Sequence, residues 1–400
     1  MTNEELVKKG IITADALAAS GKLNDAQSDK FLDYVFDLTG LSKLARTVRF
    51  RNENMDIDKI GVGRRVAMPA AEARDPQVRR GVSTSKVSLT PKEIIVPFEV
   101  GDTFKEINLE GVTVEDHIVR MMSTQLGNDV EDLYINGDSV GPAVVEGDII
   151  EGGSATDYIK DGYMALFDGW LRQADSSNGV DFGGVNISSN VFSRMLNAMP
   201  IKFRRDKTKL MFLCSPDLEQ LYRERISTRA TASGDNALSS TEPITPFGVP
   251  LLPFPLFQFY PPVVQNVTFT GSGTTVSLRY GPVQAGTVVV TPTSLAGVPE
   301  EAYVNPTDYT VDETAGTITH AGGGSAIGPT ATVKVTYSAY PQLILTLKEN
   351  LIAAIGRDIR IEKDRDIFKR VNQYVITAKI DAKVEELTAM VKAYNLGNSI

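Results

Sequence analysis

The residues whose pattern points most directly to chemistry are Gly137-Asp138-Ser139-Val140-Gly141, which fit the G-x-S-x-G turn of serine hydrolases. Such a serine acts when a histidine takes its proton and an aspartate orients that histidine, and His320 follows Ser139 in the usual chain order. The surroundings argue against a triad. The turn needs a strand before the serine and a helix after it, whereas a helical pattern precedes Ser139 and a glycine-rich stretch follows.

Other reactive residue types are sparse. His117 and His320 are too few and too far apart in pattern for a histidine metal cluster, and His117 reads as a surface or interface residue of a helix. Cys214 is the one cysteine, which excludes an intrachain disulfide and a multi-cysteine zinc site and suits a buried thiol. Asp129, Glu131 and Asp132 fall in a helical pattern and not in a calcium loop, so they read as a solvated face. Gly61-Val62-Gly63 and Gly322-Gly323-Gly324 lack the strand, helix and lysine that a phosphate cradle needs. The expectation is a chain that is not an enzyme and carries neither metal nor cofactor.

The elements around these residues are more informative. Across Gly111 to Asp138, Val114, Ile118, Met122, Leu126, Val130 and Tyr134 recur every four residues, with Val119 and Leu133 widening the apolar stripe. Thr113 and Asp116 resemble a capping box, and Asn136-Gly137 suggests a left-handed stop. The spacing predicts a helix over residues 114–135, a rod of roughly 33 Å.

Before it, residues 1–45 read as a short helical arm, with Asn24 as a cap and Phe31, Leu32, Val35 and Phe36 on one side. From Arg46 to Val100 the pattern turns extended. Val87, Leu89, Val96, Phe98 and Val100 alternate with polar residues, and Arg64, Arg65, Arg74, Arg79 and Arg80 are interspersed with Glu72 and Asp75. That stretch is expected to be a long hairpin projecting away from any core.

Beyond the long helix, a short helix is expected at Ala165 to Leu171, others at Ser188 to Met199 and Asp217 to Arg225, and a buried strand at Lys209 to Leu213. Residues 261–340 then change in kind. They hold 7 charged residues, against 84 in the other 320, and 15 threonines, with short alternating runs between Gly and Pro turns. These features predict an inserted all-β sandwich. After Pro341 the mixed pattern resumes: QLILTL, IRIEKDRD and NQYVITAKIDAK read as strands, and EELTAMVKAYN as a last short helix.

The net charge of −9, from 41 basic and 50 acidic residues, disfavours tight general binding to nucleic acid or an anionic membrane. The start MTNEELVKKG lacks the order of a secretory signal, and no uninterrupted apolar run is long enough for a bilayer, so a cytoplasmic protein is expected.

This order of arm, charged hairpin, very long helix and late strand-rich return resembles the tailed-bacteriophage major capsid proteins of the Hong Kong 97 type. The resemblance covers about 320 of the 400 residues and is strongest at VEDHIVRMMSTQLGNDVEDLYINGD, at STRATASGDNAL through TPFGVPLLPFP, and at NLIAAIGRDIRIEKDRD. It implies an α+β capsid fold: an N-terminal arm at 1–45, an extended loop at 46–100, and a peripheral domain at 101–204 with its spine helix at 114–135. An axial domain would follow at 205–260, then an inserted immunoglobulin-like β-domain at 261–340 and a return through both domains at 341–400.

Functionally, the resemblance implies geometry in place of catalysis. Copies would join as hexamers and pentamers into an icosahedral virion shell, assembled in the host bacterial cytoplasm and enclosing double-stranded DNA without sequence-specific binding. Arg64, Arg65, Glu72, Arg74, Asp75, Arg79 and Arg80 would make inter-subunit charge pairs, while Ile118, Met122, Leu126, Val130 and Tyr134 pack the spine helix. Implied partners are further copies and portal, scaffolding and decoration proteins, with no membrane. Lys86 and Lys92 lie near the loop, but nothing identifies an acceptor, and no cross-link is expected. The alternative on the same fold is an encapsulin-like nanocompartment enclosing cargo enzymes.

Overall fold

The structure, a computed structural model, describes residues 11–12, 40–50, 54–61, 83–102, 113–139, 162–228, 242–257, 263–292, 302–322, 325–328 and 330–397. The helix α2 (Thr113–Asn136), preceded in the chain by the short α1 (Leu41–Leu44), carries the four-residue apolar repeat and must bury it against something flat. That surface is a five-stranded sheet in the order β1 (Ile11–Ile12), β5 (Lys92–Gly101), β17 (Val371–Val384), β16 (Leu351–Asp366), β2 (Arg46–Arg49). Strand β17 alternates with period two. Its Tyr374, Ile376, Ala378, Ile380, Ala382 and Val384 are buried in one cluster with Ile118, Leu126 and Leu133 of α2.

The second body sheet runs β6 (Asn178–Asp181), β18 (Met390–Tyr394), β15 (Leu343–Leu347), β7 (Leu210–Cys214), β8 (Leu251–Pro253). It is covered on both faces, so β7 is buried at every position and shows no alternation. Leu210, Phe212 and Cys214 meet α4 (Ser189–Ala198) and α6 (Pro216–Ser227), while Met211 and Leu213 join the cluster of α2. Between these helices run α3 (Trp170–Gln173) and α5 (Ile201–Arg204). Ser215 caps α6 by accepting from the Leu218 amide at 3.3 Å.

Residues 263–337 build two three-stranded sheets, β10 (Thr275–Ser277), β13 (Thr317–His320), β12 (Tyr309–Asp312) and β11 (Val289–Pro292), β14 (Thr332–Tyr337), β9 (Val263–Thr268). Their inner residues, among them Val267, Val290, Ile318, Val333 and Val335, share a separate cluster. The remaining pair, β3 (Met55–Gly61) and β4 (Ser83–Leu89), is antiparallel.

Four local expectations are corrected. EELTAMVKAYN is not a helix: after one 3-10 turn at Leu387–Ala389 it becomes β18, an inner strand buried on both faces. Gly137 ends α2 without left-handed backbone; glycine is needed for space, because a Cβ there would stand 2.6 Å from the carbonyl oxygens of Leu133 and Phe167. The helix expected at Ala165 to Leu171 starts only at Trp170. The β3–β4 pair does not project away from every core, since Met55 and Ile57 pack with Leu89 on Ile352 and Ala354 of β16. The helix expected after Asn24 lies outside the described residues.

Candidate functional site

The charged positions expected to meet other subunits, Arg64, Arg65, Glu72, Arg74, Asp75, Arg79 and Arg80, lie outside the described residues. The β3–β4 pair flanks them. On it Lys86 donates to Asp56 at 2.8 Å, and this pair raises the lysine's pKa and lowers the aspartate's at an exposed site. Of the helix positions, Ile118, Leu126 and Tyr134 are buried, and Met122 and Val130 are half-buried against the same cluster. Tyr134 stacks at a tilt on Trp170, 5.6 Å between centroids; burial, then the nearby Asp381 charge, pushes its phenol pKa well above the ordinary range.

Three acids tie α2 to distant segments. Near its start, Glu115 accepts from Lys363 at 2.8 Å, from the Tyr374 hydroxyl at 2.9 Å and from Asn372. Glu131, read from sequence as solvated, is 1% exposed. Its carboxylate accepts from the amides of Gly40 (2.8 Å), Leu41 (2.6 Å) and Ser42 (3.3 Å) and from the Ser42 hydroxyl (2.6 Å), so it caps α1 from 90 residues away. Asp138, just past the helix end and 1% exposed, accepts a fork from Arg279, Nε to Oδ2 at 2.9 Å and Nη2 to Oδ1 at 2.6 Å, and a bond from Tyr280 at 3.1 Å. The α2 end is thereby pinned to the separate β-unit. Sequence reasoning missed both Glu131 and Asp138 as anchors, since neither pairing leaves a local pattern.

An ion pair between a buried lysine and a partly exposed aspartate also holds the second sheet. Lys392, in β18, reaches Asp175 at 2.5 Å and the Leu171 carbonyl at 3.1 Å. Burial lowers the lysine's pKa and Asp175 partly opposes that shift.

The groups with chemical potential are committed to structure. The Ser139 amide donates to Asp168 at 2.8 Å, placing Ser139 in a helix-ending loop and not on a strand-to-helix turn. His320 is buried in the β-unit, with Nε2 2.9 Å from the Ile327 carbonyl and Nδ1 accepting from the Gly322 amide at 2.9 Å. Cys214 is buried, and desolvation raises its thiol pKa far above the usual range, which keeps it from ionising. Among the described residues no three His, Cys, Asp or Glu side chains gather as a metal site requires, and no helix is long and apolar enough to cross a membrane. What the arrangement offers is joined surfaces and pinned elements.

Comparison with known proteins agrees with that character. No family model matches the chain. It is 27% identical over 394 residues to the Bacillus subtilis (strain 168) protein named "Putative prophage capsid protein YqbE", covering 98% of each. Among solved structures, the capsid of a native GTA particle superposes with a TM-score of 0.53 at 11% identity, covering 96% of this chain and 100% of that one. The capsid of an empty GTA particle gives 0.52 at 13%, with the same coverage. The chain has the mixed α/β fold of these capsid proteins.

Proposed function

We propose that this chain is the major capsid protein of a tailed bacteriophage, of the Hong Kong 97 type. The observation that carries the reading is the 27% identity that runs through 98% of both this chain and a protein named for a prophage capsid. Copies assemble as hexamers and pentamers into an icosahedral shell around double-stranded DNA, in the host bacterial cytoplasm. The chain performs no catalytic step.

In this reading α2 is the spine of the peripheral domain, the sheet from β6 to β8 belongs to the axial domain, and β3 and β4 are the root of the extended loop. The β-unit from β9 to β14 is an inserted immunoglobulin-like domain. Its separate cluster and its clamp at Asp138 support an insertion that leaves the shell-forming body whole. Arg64 through Arg80 cross onto a neighbour and pair there. Each exposed pair contributes only about 0 to 1 kcal/mol, so shell strength comes from repetition over many copies. Portal, scaffolding and decoration proteins are the further partners.

The test is to express the full chain, with a candidate scaffold where needed, and image the product. Closed shells are the expected result. Particles recovered from infected or induced cells should protect DNA from nuclease; particles filled with enzymes would move the reading to an encapsulin-like compartment.

A further inference from the structure

The sheet that carries α2 has a second face over β5, β17 and β16. Ile94, Phe98, Tyr374, Ile376 and Ala378 turn toward α2, so the strand period of two sends Ile95, Pro97, Val375 and Thr377 to the opposite side. On β16 that side collects Arg357, Arg360, Glu362 and Asp364, the partners of Lys379, Thr377, Val375 and Gln373. Arg357 and Arg360 share it, although three residues apart, because β16 carries extra residues relative to β17 between Ile355 and Arg360. One column of the face therefore changes sign at its middle, two arginines followed by two acids.

Among the described residues, β3 and β4 cover this face at its base, over Ile352 and Ala354. Beyond that base Ile95 is 62% exposed, and Pro97, Arg360, Glu362 and Asp364 are exposed as well. Neither Arg360 nor Glu362 is in an ion pair among the described residues. A basic partner would be repelled by Arg357 and Arg360, and an acidic one by Glu362 and Asp364. A surface that reverses sign at the same place satisfies both halves, and the chain itself supplies one.

Resting on the shell-forming reading, we propose that this sheet face is a contact between two copies of the chain related by a half-turn, in which the arginines of each receive the acids of the other. The axis runs across the strands, so that β16 lies over β16 in the opposite direction. Arg360 then faces the second copy's Glu362, and Arg357 its Asp364. Between these charges Ile95 meets Pro97 and Val375 meets Thr377, an apolar centre inside a charged rim. Glu93 also meets Glu99, but each has a cation of its own chain 3.9 Å away, Lys379 and Lys369. A half-turn along the strands would instead set Glu99 on Asp364 and Ile95 on Arg360, which gives neither charge pairing nor an apolar centre.

The experiment uses the full chain under conditions where the wild type forms shells. Arg360→Glu makes this column of the face mostly acidic and Glu362→Arg makes it mostly basic, and each alone should lower shell yield at least tenfold. Both positions are exposed, so circular dichroism and solubility of the two variants should match the wild type. Co-expressing the two variants, or placing both changes in one chain, should restore the yield, because each arrangement again sets opposite charges across the half-turn. Wild-type yield from both single variants overturns this contact and leaves the capsid reading standing. Loss in one variant alone overturns it too: shells from Arg360→Glu but not from Glu362→Arg would assign the face to a basic partner such as Arg64 to Arg80, and the reverse to an acidic one. Failure of both the co-expressed pair and the double variant to recover contradicts the half-turn. Absence of shells from the wild type sinks the capsid reading and this contact together.

Discussion

Asp138 and Arg279, 141 residues apart, are joined by a two-pronged bond between a carboxylate that is 1% exposed and a guanidinium on the β-unit. The pairing raises the pKa of Arg279 still further, so the charge on its side never lapses. Replacing Asp138 by alanine leaves that guanidinium without its anion. Because Arg279 keeps about a fifth of its surface, the cost should fall below the roughly 3 to 5 kcal/mol of a fully buried broken pair, at about 2 to 3 kcal/mol in urea unfolding. Faster amide exchange at Leu278 and Tyr280 should accompany it; unchanged stability and exchange would mean that the clamp does not hold the β-unit.

Removing the β-unit altogether has a different outcome. Its core draws only on residues within 267–337, and deletion returns Asp138 to water with Arg172 still 3.8 Å away. Deleting 261–340 and closing the joint should leave a soluble body that assembles as the full chain does. Insoluble product would show that the two units share a core.

Glu131 should be the residue that fixes the chain at α1. Glu131→Ala abandons the first-turn amides of α1 and should cost about 3 kcal/mol, whereas Glu131→Gln, which keeps one acceptor, should cost about 1 to 2. Limited proteolysis within residues 40–50 reads the release. Equal digestion of both variants and the wild type would refute the anchoring role.

Lys392 and Asp175 should behave asymmetrically. Asp175→Asn leaves a buried ammonium without its carboxylate and should cost about 3 kcal/mol, whereas Lys392→Met fills the same space and leaves Asp175 with Arg172, so it should lie within about 1 kcal/mol of wild type. The pH dependence derives from the lowered pKa. Between that value and the ordinary 10.5 the unfolded chain holds the proton that the folded chain has released, so stability rises with pH there. Unfolding measured from pH 8 to 11 should show this rise in the wild type minus Lys392→Met difference; a flat difference would contradict it.

How much of this is written locally in the sequence can be judged residue by residue. The α2 stripe is legible because one face repeats every four residues for six turns, and the β-unit because its loss of charge is abrupt. The strand β18 is not: a strand buried on both faces loses its period of two, so Met390 to Tyr394 behind the helix-forming EELTA looks helical, and Lys392 inside it looks solvated. Glu131 resembles its neighbours Asp129 and Asp132 in sequence because only the arrival of Gly40 to Ser42 distinguishes it. The Arg357 and Arg360 convergence depends on register shifts, which depend on β17 and cannot be seen in β16 alone.

The central claim, a chain built to join copies of itself, is tested most directly by electron microscopy and sedimentation of the purified full-length protein. The account predicts closed shells of uniform size, with hexameric and pentameric units on their surface. A sample that stays monodisperse as single subunits in every salt, pH and scaffold condition tried would contradict it.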